Sequence, residues 1–176
     1  MATIVSHAAV PLAIAVGLGG RRIPRTLALA GVAASMLPDA DVIFFRFGAT
    51  YDSSWAHRGF THSVGFAIIM GLVAVLLFWR ARRPVFVFVF VAFASVSHGL
   101  LDMLTNGGHG VAILWPASTQ RYFFDWRPIE VSPLAAARFV HRAVRIAFSE
   151  FLWIWVPATI VGLVLRALRH AQGANL

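Results

Sequence analysis

The sequence predicts an all-α integral membrane bundle of about five transmembrane helices plus an amphipathic interfacial helix, and three observations carry that reading. Of 176 residues, 59% are hydrophobic and 12% charged, with a mean hydropathy of +0.76, beyond what a water-soluble domain usually carries. Apolar runs long enough to cross a hydrocarbon core of about 30 Å recur along the chain. The formal charge of +8 is entirely arginine, and the arginines cluster at the ends of apolar runs, where headgroups and topology use them. That placement argues against a nucleic-acid partner. The absence of cysteine excludes disulfides and thiolate metal sites.

The runs fall at about 4–20, 26–47, 60–79, 84–104 and 148–168. The first is short and glycine-rich. Its positive charges follow the apolar stretch instead of preceding it, so it is expected to be retained rather than cleaved as a signal peptide. The second is interrupted by Pro38, which predicts a helix ending at Leu37 with Val42, Ile43, Phe44 and Phe45 lying along the interface. The third opens at Phe60, with Thr61 as a candidate cap. Residues 85–91 alternate Val and Phe, strand-like types, but every position is apolar and the run reaches Leu104 without a turn signal, so it reads as helix. Between Thr105 and Ala147 lies a long segment whose glycines allow a tight turn and whose Trp115, Tyr122, Phe123, Phe124 and Trp126 suit the headgroup level. Its end, 134–147, places Arg138, Arg142 and Arg145 along one helical face and is expected to lie on the membrane. Residues 1–176 thus read as a single membrane-embedded domain.

Orientation follows from Arg21, Arg22 and Arg25, then Arg80, Arg82 and Arg83, then Arg166 and Arg169, which the positive-inside rule assigns to the cytoplasm. Arginines within 105–147 oppose this, but long translocated segments obey charge rules less strictly. The 48–59 loop and the long segment then face the extracytoplasmic side. So do His7, Asp39, Asp41, His57, His62, His98 and Asp102, residues from distant parts of the chain that are costly at membrane depth. One pocket becomes geometrically accessible to all of them.

His98 and Asp102 are one helical turn apart on one face, a spacing that lets two ligands grip one ion. His57 and His62 flank a turn into the third helix, Asp39 and Asp41 offer hard oxygen ligands or a general base, and His7 adds a remote corner. Each has a simpler reading: a hydrogen-bonded membrane histidine for His7, a solvated helix stop for Asp39, a buried polar pair for His98 and Asp102. His109 reads as a loop residue, and His141 and His170 as interfacial.

His7, Leu37-Pro-Asp-Ala-Asp41, His57-Arg-Gly-Phe-Thr-His-Ser63 and Ser97-His-Gly-Leu-Leu-Asp102 together resemble the YdjM-like family of inner-membrane metal-dependent hydrolases. Thr105-Asn-Gly-Gly-His-Gly, Trp115-Pro116, Arg121-Tyr122 and Trp126 through Pro133 extend the resemblance, with motifs in order and at family-like spacing. The family is distantly similar to the zinc-dependent phospholipase C and single-strand nuclease superfamily, whose His-x-x-x-Asp pair bridges a multi-zinc site. This chain lacks the His-x-x-x-Glu that those soluble enzymes also use.

The resemblance implies an inner-membrane, multi-pass enzyme. Imidazole and carboxylate without thiolate suit zinc, and also accept manganese or iron, as one or two ions. A divalent ion would activate water towards a phosphoester of a lipid or lipid-linked substrate. Asp39 or Asp41 would take the proton, and Arg58 would either clamp an anionic oxygen or anchor at a headgroup. Ser63 and Ser97 would orient ligands. The rival is a non-enzymatic metal binder or a metal or proton transporter, which would need a polar path to the cytoplasmic side.

Overall fold

The structure, a computed structural model, describes residues 1–51, 53–81, 83–132 and 136–174, without the side chains of 136–139, 173 and 174. Arg82, Pro133, the first residues of the 134–147 segment and the Arg138 side chain lie outside that description.

Among the described residues the fold is all-helical. A 3₁₀ turn at Ser6–Ala8 leads into α1 (Ala9–Leu18); α2 (Arg25–Met36), α3 (Val64–Leu77), α4 (Pro84–Met103), α5 (Ala136–Glu150) and α6 (Val156–Ala174) follow. The Val/Phe run is helical throughout, within α4. Among the described residues three helical segments are long and apolar enough to cross a membrane: Arg25–Phe47, Pro84–Met103 and Val140–Gln172. Ser6–Leu18 and Val64–Leu77 are apolar but shorter, so the first and third runs form less helix than their hydropathy suggests. Outward-facing Leu76, Leu77, Val85 and Val144 are exposed, as lipid-facing side chains are.

Two expectations about continuity change. Pro38 ends only the α-helical hydrogen bonding: the chain tightens into a 3₁₀ helix, Leu37–Phe47, that stops at Gly48 in the left-handed conformation. Leu37 N–H still bonds back to the Ala33 carbonyl, but Pro38 has no N–H to continue that pattern, and the tighter turn carries the chain past it. The expected amphipathic helix is present as α5, and it is continuous with the last apolar run. It runs through a π-helical turn, Phe151–Trp155, into α6. Pro157 cannot donate to the residue four before it, and the wider turn absorbs that loss.

Helix α4 packs on α3 and α2, and α1 packs on α6. Ile23, Leu27, Ala34, Ala74, Val87, Phe90 and Val91 form a buried apolar core between α2, α3 and α4. At one end of it, Arg21, Arg22 and Arg83 line a single cavity with Leu27, Phe78 and Phe86. The 105–132 segment covers the other end: Val64 N–H bonds to the Ile113 carbonyl (2.9 Å), Ala112 N–H to that of Arg58 (2.9 Å), and Ile129 is fully buried.

Gly99 sets how closely α4 approaches the turn before α3. A Cβ there would lie 2.4 Å from the His62 carbonyl oxygen, a backbone atom that cannot swing aside. Gly99→Ala is therefore expected to cost about 1–3 kcal/mol by overpacking and to displace His62 from His98. The check is a thermal melt together with metal content; a variant matching the wild type in both would show that the approach is not tight.

Candidate metal centre

His98 and Asp102 leave α4 one turn apart and are fully buried. The 3₁₀ segment after α2 presents Asp39 and Asp41, two positions apart, to different neighbours. Asp39 faces His98, with Oδ1 3.3 Å from Nε2, whereas Asp41 faces His57 and His62. His62 ends a short 3₁₀ turn, Phe60–His62, and His57 sits on the loop before it. His7 comes from the turn before α1 and stacks on the His98 ring, centroids 3.5 Å apart. All seven predicted residues are buried and share one region.

Hydrogen bonding fixes which nitrogen of each ring is left over. His98 Nδ1 lies 2.7 Å from the Ser35 carbonyl oxygen, which can only accept, so Nδ1 carries the proton. His62 Nδ1 faces Asp41 Oδ2 at 3.2 Å and Thr61 Oγ1 at 3.0 Å. The Thr61 hydroxyl already donates to Asp41 Oδ2 (2.6 Å), so this nitrogen donates as well. In their neutral forms both rings would turn an Nε2 lone pair inward, and those two atoms are only 3.1 Å apart. Around them stand Asp39 Oδ1 and Asp102 Oδ2, within 3.3–4.0 Å.

Four acceptors therefore converge on one point. Ligand atoms about 2.0–2.2 Å from a tetrahedral ion lie roughly 3.3–3.6 Å from one another, close to these separations. A proton shared by the two Nε2 atoms would relieve their repulsion, yet among the described residues neither Asp39 oxygen and neither His7 nitrogen has a hydrogen-bond partner. Asp39, Asp41 and Asp102 also outnumber Arg58, whose guanidinium contacts Asp102 alone, and a divalent cation would offset the surplus negative charge. The donor set Asp39, His62, His98 and Asp102 fits a divalent ion.

Surrounding groups hold these side chains in place. Asp41 accepts from His57 Nδ1 (2.7 Å), Thr61 and His62, so both of its oxygens are occupied by donors. Carboxylate-backed and carbonyl-backed imidazoles are the usual way a protein orients metal-binding histidines. Burial pushes the His57 imidazole below its ordinary pKa against the pull of Asp41, which favours the neutral ring. Asp41→Ala is expected to weaken metal affinity by about 10–100-fold; titration with a competing chelator checks this, and unchanged affinity would contradict the positioning role.

Arg58 is buried, not at a headgroup. Its Nε donates to Asp102 Oδ2 (3.1 Å), and its terminal nitrogens donate to the Gly107 carbonyl (2.8 Å) and Thr105 Oγ1 (2.7 Å). It thereby ties α4 to the covering segment. Arg121 does the same for the loop, donating to the His57 carbonyl at 3.1 Å.

Two assignments of neighbouring hydroxyls reverse. Ser63, not Thr61, caps α3 by accepting from Phe66 N–H (3.1 Å), which leaves Thr61 to hold Asp41. Ser97 turns back onto the Ala94 carbonyl (2.8 Å), and Ser63 also donates to its own turn, so neither orients a ligand. His109 stacks on Tyr51 in the loop, away from the donor set. Glu150, overlooked in the sequence, is buried and accepts from Thr3 and Ser6 (2.7 Å for the latter), while Trp155 Nε1 donates to Ser6 Oγ (3.0 Å). These bonds brace the turn that carries His7. A carboxylate inside the last apolar run was the available signal.

The fold and the site define a helical membrane protein with a buried histidine–carboxylate donor set covered by a loop segment. A family model described as YdjM inner membrane protein matches residues 1–172, and the chain belongs to that family. It is 42% identical over 167 residues to inner membrane protein YbcI of Escherichia coli (strain K12), covering 92% of this chain and 95% of that protein. No solved structure matches it. Membership extends the resemblance of the motifs, which ends at Pro133, over nearly the whole chain.

Proposed function

We propose that the protein is a multi-pass inner-membrane metal-dependent hydrolase whose site faces the extracytoplasmic side and acts on a phosphoester of a lipid or lipid-linked substrate. The observation that carries this is the convergence of acceptors from Asp39, His62, His98 and Asp102 beside an open pocket of about 190 Å³ lined by Tyr51, His57, Arg58, Gly108 and His109. A divalent ion held by those four residues supplies Lewis-acid chemistry, acidifying water and polarising a phosphoryl oxygen. His57 donates Nδ1–H to Asp41 and so keeps Nε2 as an acceptor at the pocket, the position of a general base. In this reading the proton goes to His57, with Asp41 behind it. Arg58 spends three of its five N–H groups on Asp102, Gly107 and Thr105, and the other two remain for an anionic oxygen.

The arginine groups beyond the apolar core support a cytoplasmic placement of that end. The same core, from Leu27 to Val91, is a poor path for a transported ion and favours hydrolysis over transport. The test is hydrolysis by purified, metal-loaded protein of a phospholipid and a polyprenyl phosphoester in mixed micelles, against p-nitrophenyl phosphate. Metal-dependent release from a lipid substrate, lost in His98→Ala, is expected. Hydrolysis of the soluble ester alone would overturn the lipid assignment, and none at full metal occupancy would overturn the enzyme.

A further inference from the structure

We propose that the cavity at the end of the bundle opposite the metal centre is a binding site for an anionic phospholipid, with the phosphate among Arg21, Arg22 and Arg83 and the glycerol backbone against Phe78 and Phe86. The two sites are separate. Roughly 28 Å of helix, at about 1.5 Å per residue, lies between Arg83, which precedes α4, and Asp102 near its end.

The cavity measures about 480 Å³ and is formed by the loop joining α1 to α2, the loop joining α3 to α4, and the helix ends beside them. Three arginines line it, and among the described residues none of their guanidinium groups has a hydrogen-bond or ion-pair partner. Nor do the walls contain a carboxylate: the seven acidic residues fall at 39–52 and 102–150, whereas the lining residues fall at 21–27 and 78–87. Helices α2 and α4 begin at Arg25 and Pro84 with no side-chain cap and no acidic residue in the first turn. Thr26, Leu27 and Phe86, in those first turns, line the cavity, so two positive helix ends add to its charge. Gathered cations repel one another unless an anion lies between them, and the guanidinium fork matches the oxygens of a phosphate.

The remaining walls are apolar. Leu27 and Val87 belong to the buried core, Phe78 and Phe86 pack against it, and their chain neighbours Leu77, Trp79 and Val85 are exposed. A free phosphate would leave that surface unused, whereas a phospholipid joins phosphate to hydrocarbon, and basic pockets between transmembrane helices are where anionic headgroups bind. Charge also selects among lipids. A zwitterionic headgroup brings an ammonium group, which would meet three guanidinium groups and no carboxylate. Proximity alone does not recruit an arginine: Arg80 folds over Trp79, 4.5 Å from the ring centroid, and does not line the cavity.

The experiment is native mass spectrometry of the full chain released from detergent micelles that contain phosphatidylglycerol and phosphatidylcholine of equal chain length. The wild type is expected to retain one phosphatidylglycerol and no phosphatidylcholine. Combining Arg22→Gln with Arg83→Gln should weaken that retention roughly 25-fold, about fivefold for each arginine. Arg80→Gln removes the same charge outside the cavity and should leave retention unchanged; Arg83→Gln alone serves if the double variant does not stay monodisperse. Equal retention of both lipids, or full retention in the cavity variants, overturns the site. An equal loss in Arg80→Gln reduces it to diffuse surface charge and overturns it too. Displacement of the lipid by equimolar glycerol 3-phosphate overturns the lipid as its ligand in favour of a soluble phosphate. Metal content should match the wild type in every variant, and its loss would overturn the separation of the two sites.

Discussion

His98→Ala is expected to strip the divalent ion from the purified protein while leaving it inserted and helical. The substitution removes one of four converging acceptors and the ring on which His7 stacks, and leaves the Ser35 carbonyl without its partner, the last a cost of about 1 kcal/mol. Losing a direct ligand should exceed the 10–100-fold affinity loss typical when only a supporting group is removed. Asp102→Ala should lose the ion too, but with a second effect. It strands the buried Arg58 guanidinium, so about 3–5 kcal/mol of stability should go with it. Metal analysis and thermal unfolding in detergent separate the two: both variants empty of metal, one near wild-type stability. Unchanged metal content in both variants would remove α4 from the site.

Arg58→Met should be as damaging to the fold as Asp102→Ala, for the mirrored reason. A buried carboxylate loses its counter-charge, worth about 3–5 kcal/mol, and Thr105 and Gly107 lose the donor that fastens the covering segment to α4. The Arg58 backbone also lies in the left-handed region, with φ 68°, held by its carbonyl's bond from Ala112 N–H. A side chain in that conformation needs compensating contacts. Arg58→Lys keeps the charge but not the three-armed fork, so it should recover part of the stability and little of the protection of residues 105–132. Limited proteolysis of that segment checks this; equal protection in both variants and the wild type would show that Arg58 is not its fastening.

Much of the arrangement could be read before any coordinates, because a bilayer makes polar residues expensive. His7, Asp39, His62, His98 and Asp102 stood out against apolar runs, and arginine placement ordered the helix ends that carry them. Helix α4 was legible from an apolar run that reaches Leu104 without a turn signal, and the four-residue step from His98 to Asp102 then put both on one face. Local conformation was harder. Pro38 reads as a stop, and only the backbone reveals that a 3₁₀ helix continues to Phe47 and turns Asp39 and Asp41 to different partners. Thr61 and Ser63 are equally good caps by type, and which of them caps is decided by the closure of loop 53–60 against Asp41. Glu150 hid in a run read for hydropathy alone, and the π-helical turn that joins α5 to α6 leaves no periodicity signal beyond Pro157.

X-ray absorption at the zinc edge of the purified protein tests the central claim most directly. A tightly held ion with imidazole nitrogen and carboxylate oxygen at about 2.0–2.2 Å, its imidazole scattering reduced in His98→Ala, is the predicted result. An ion surrounded by oxygen alone, or no retained zinc and no uptake of manganese or iron, would contradict it.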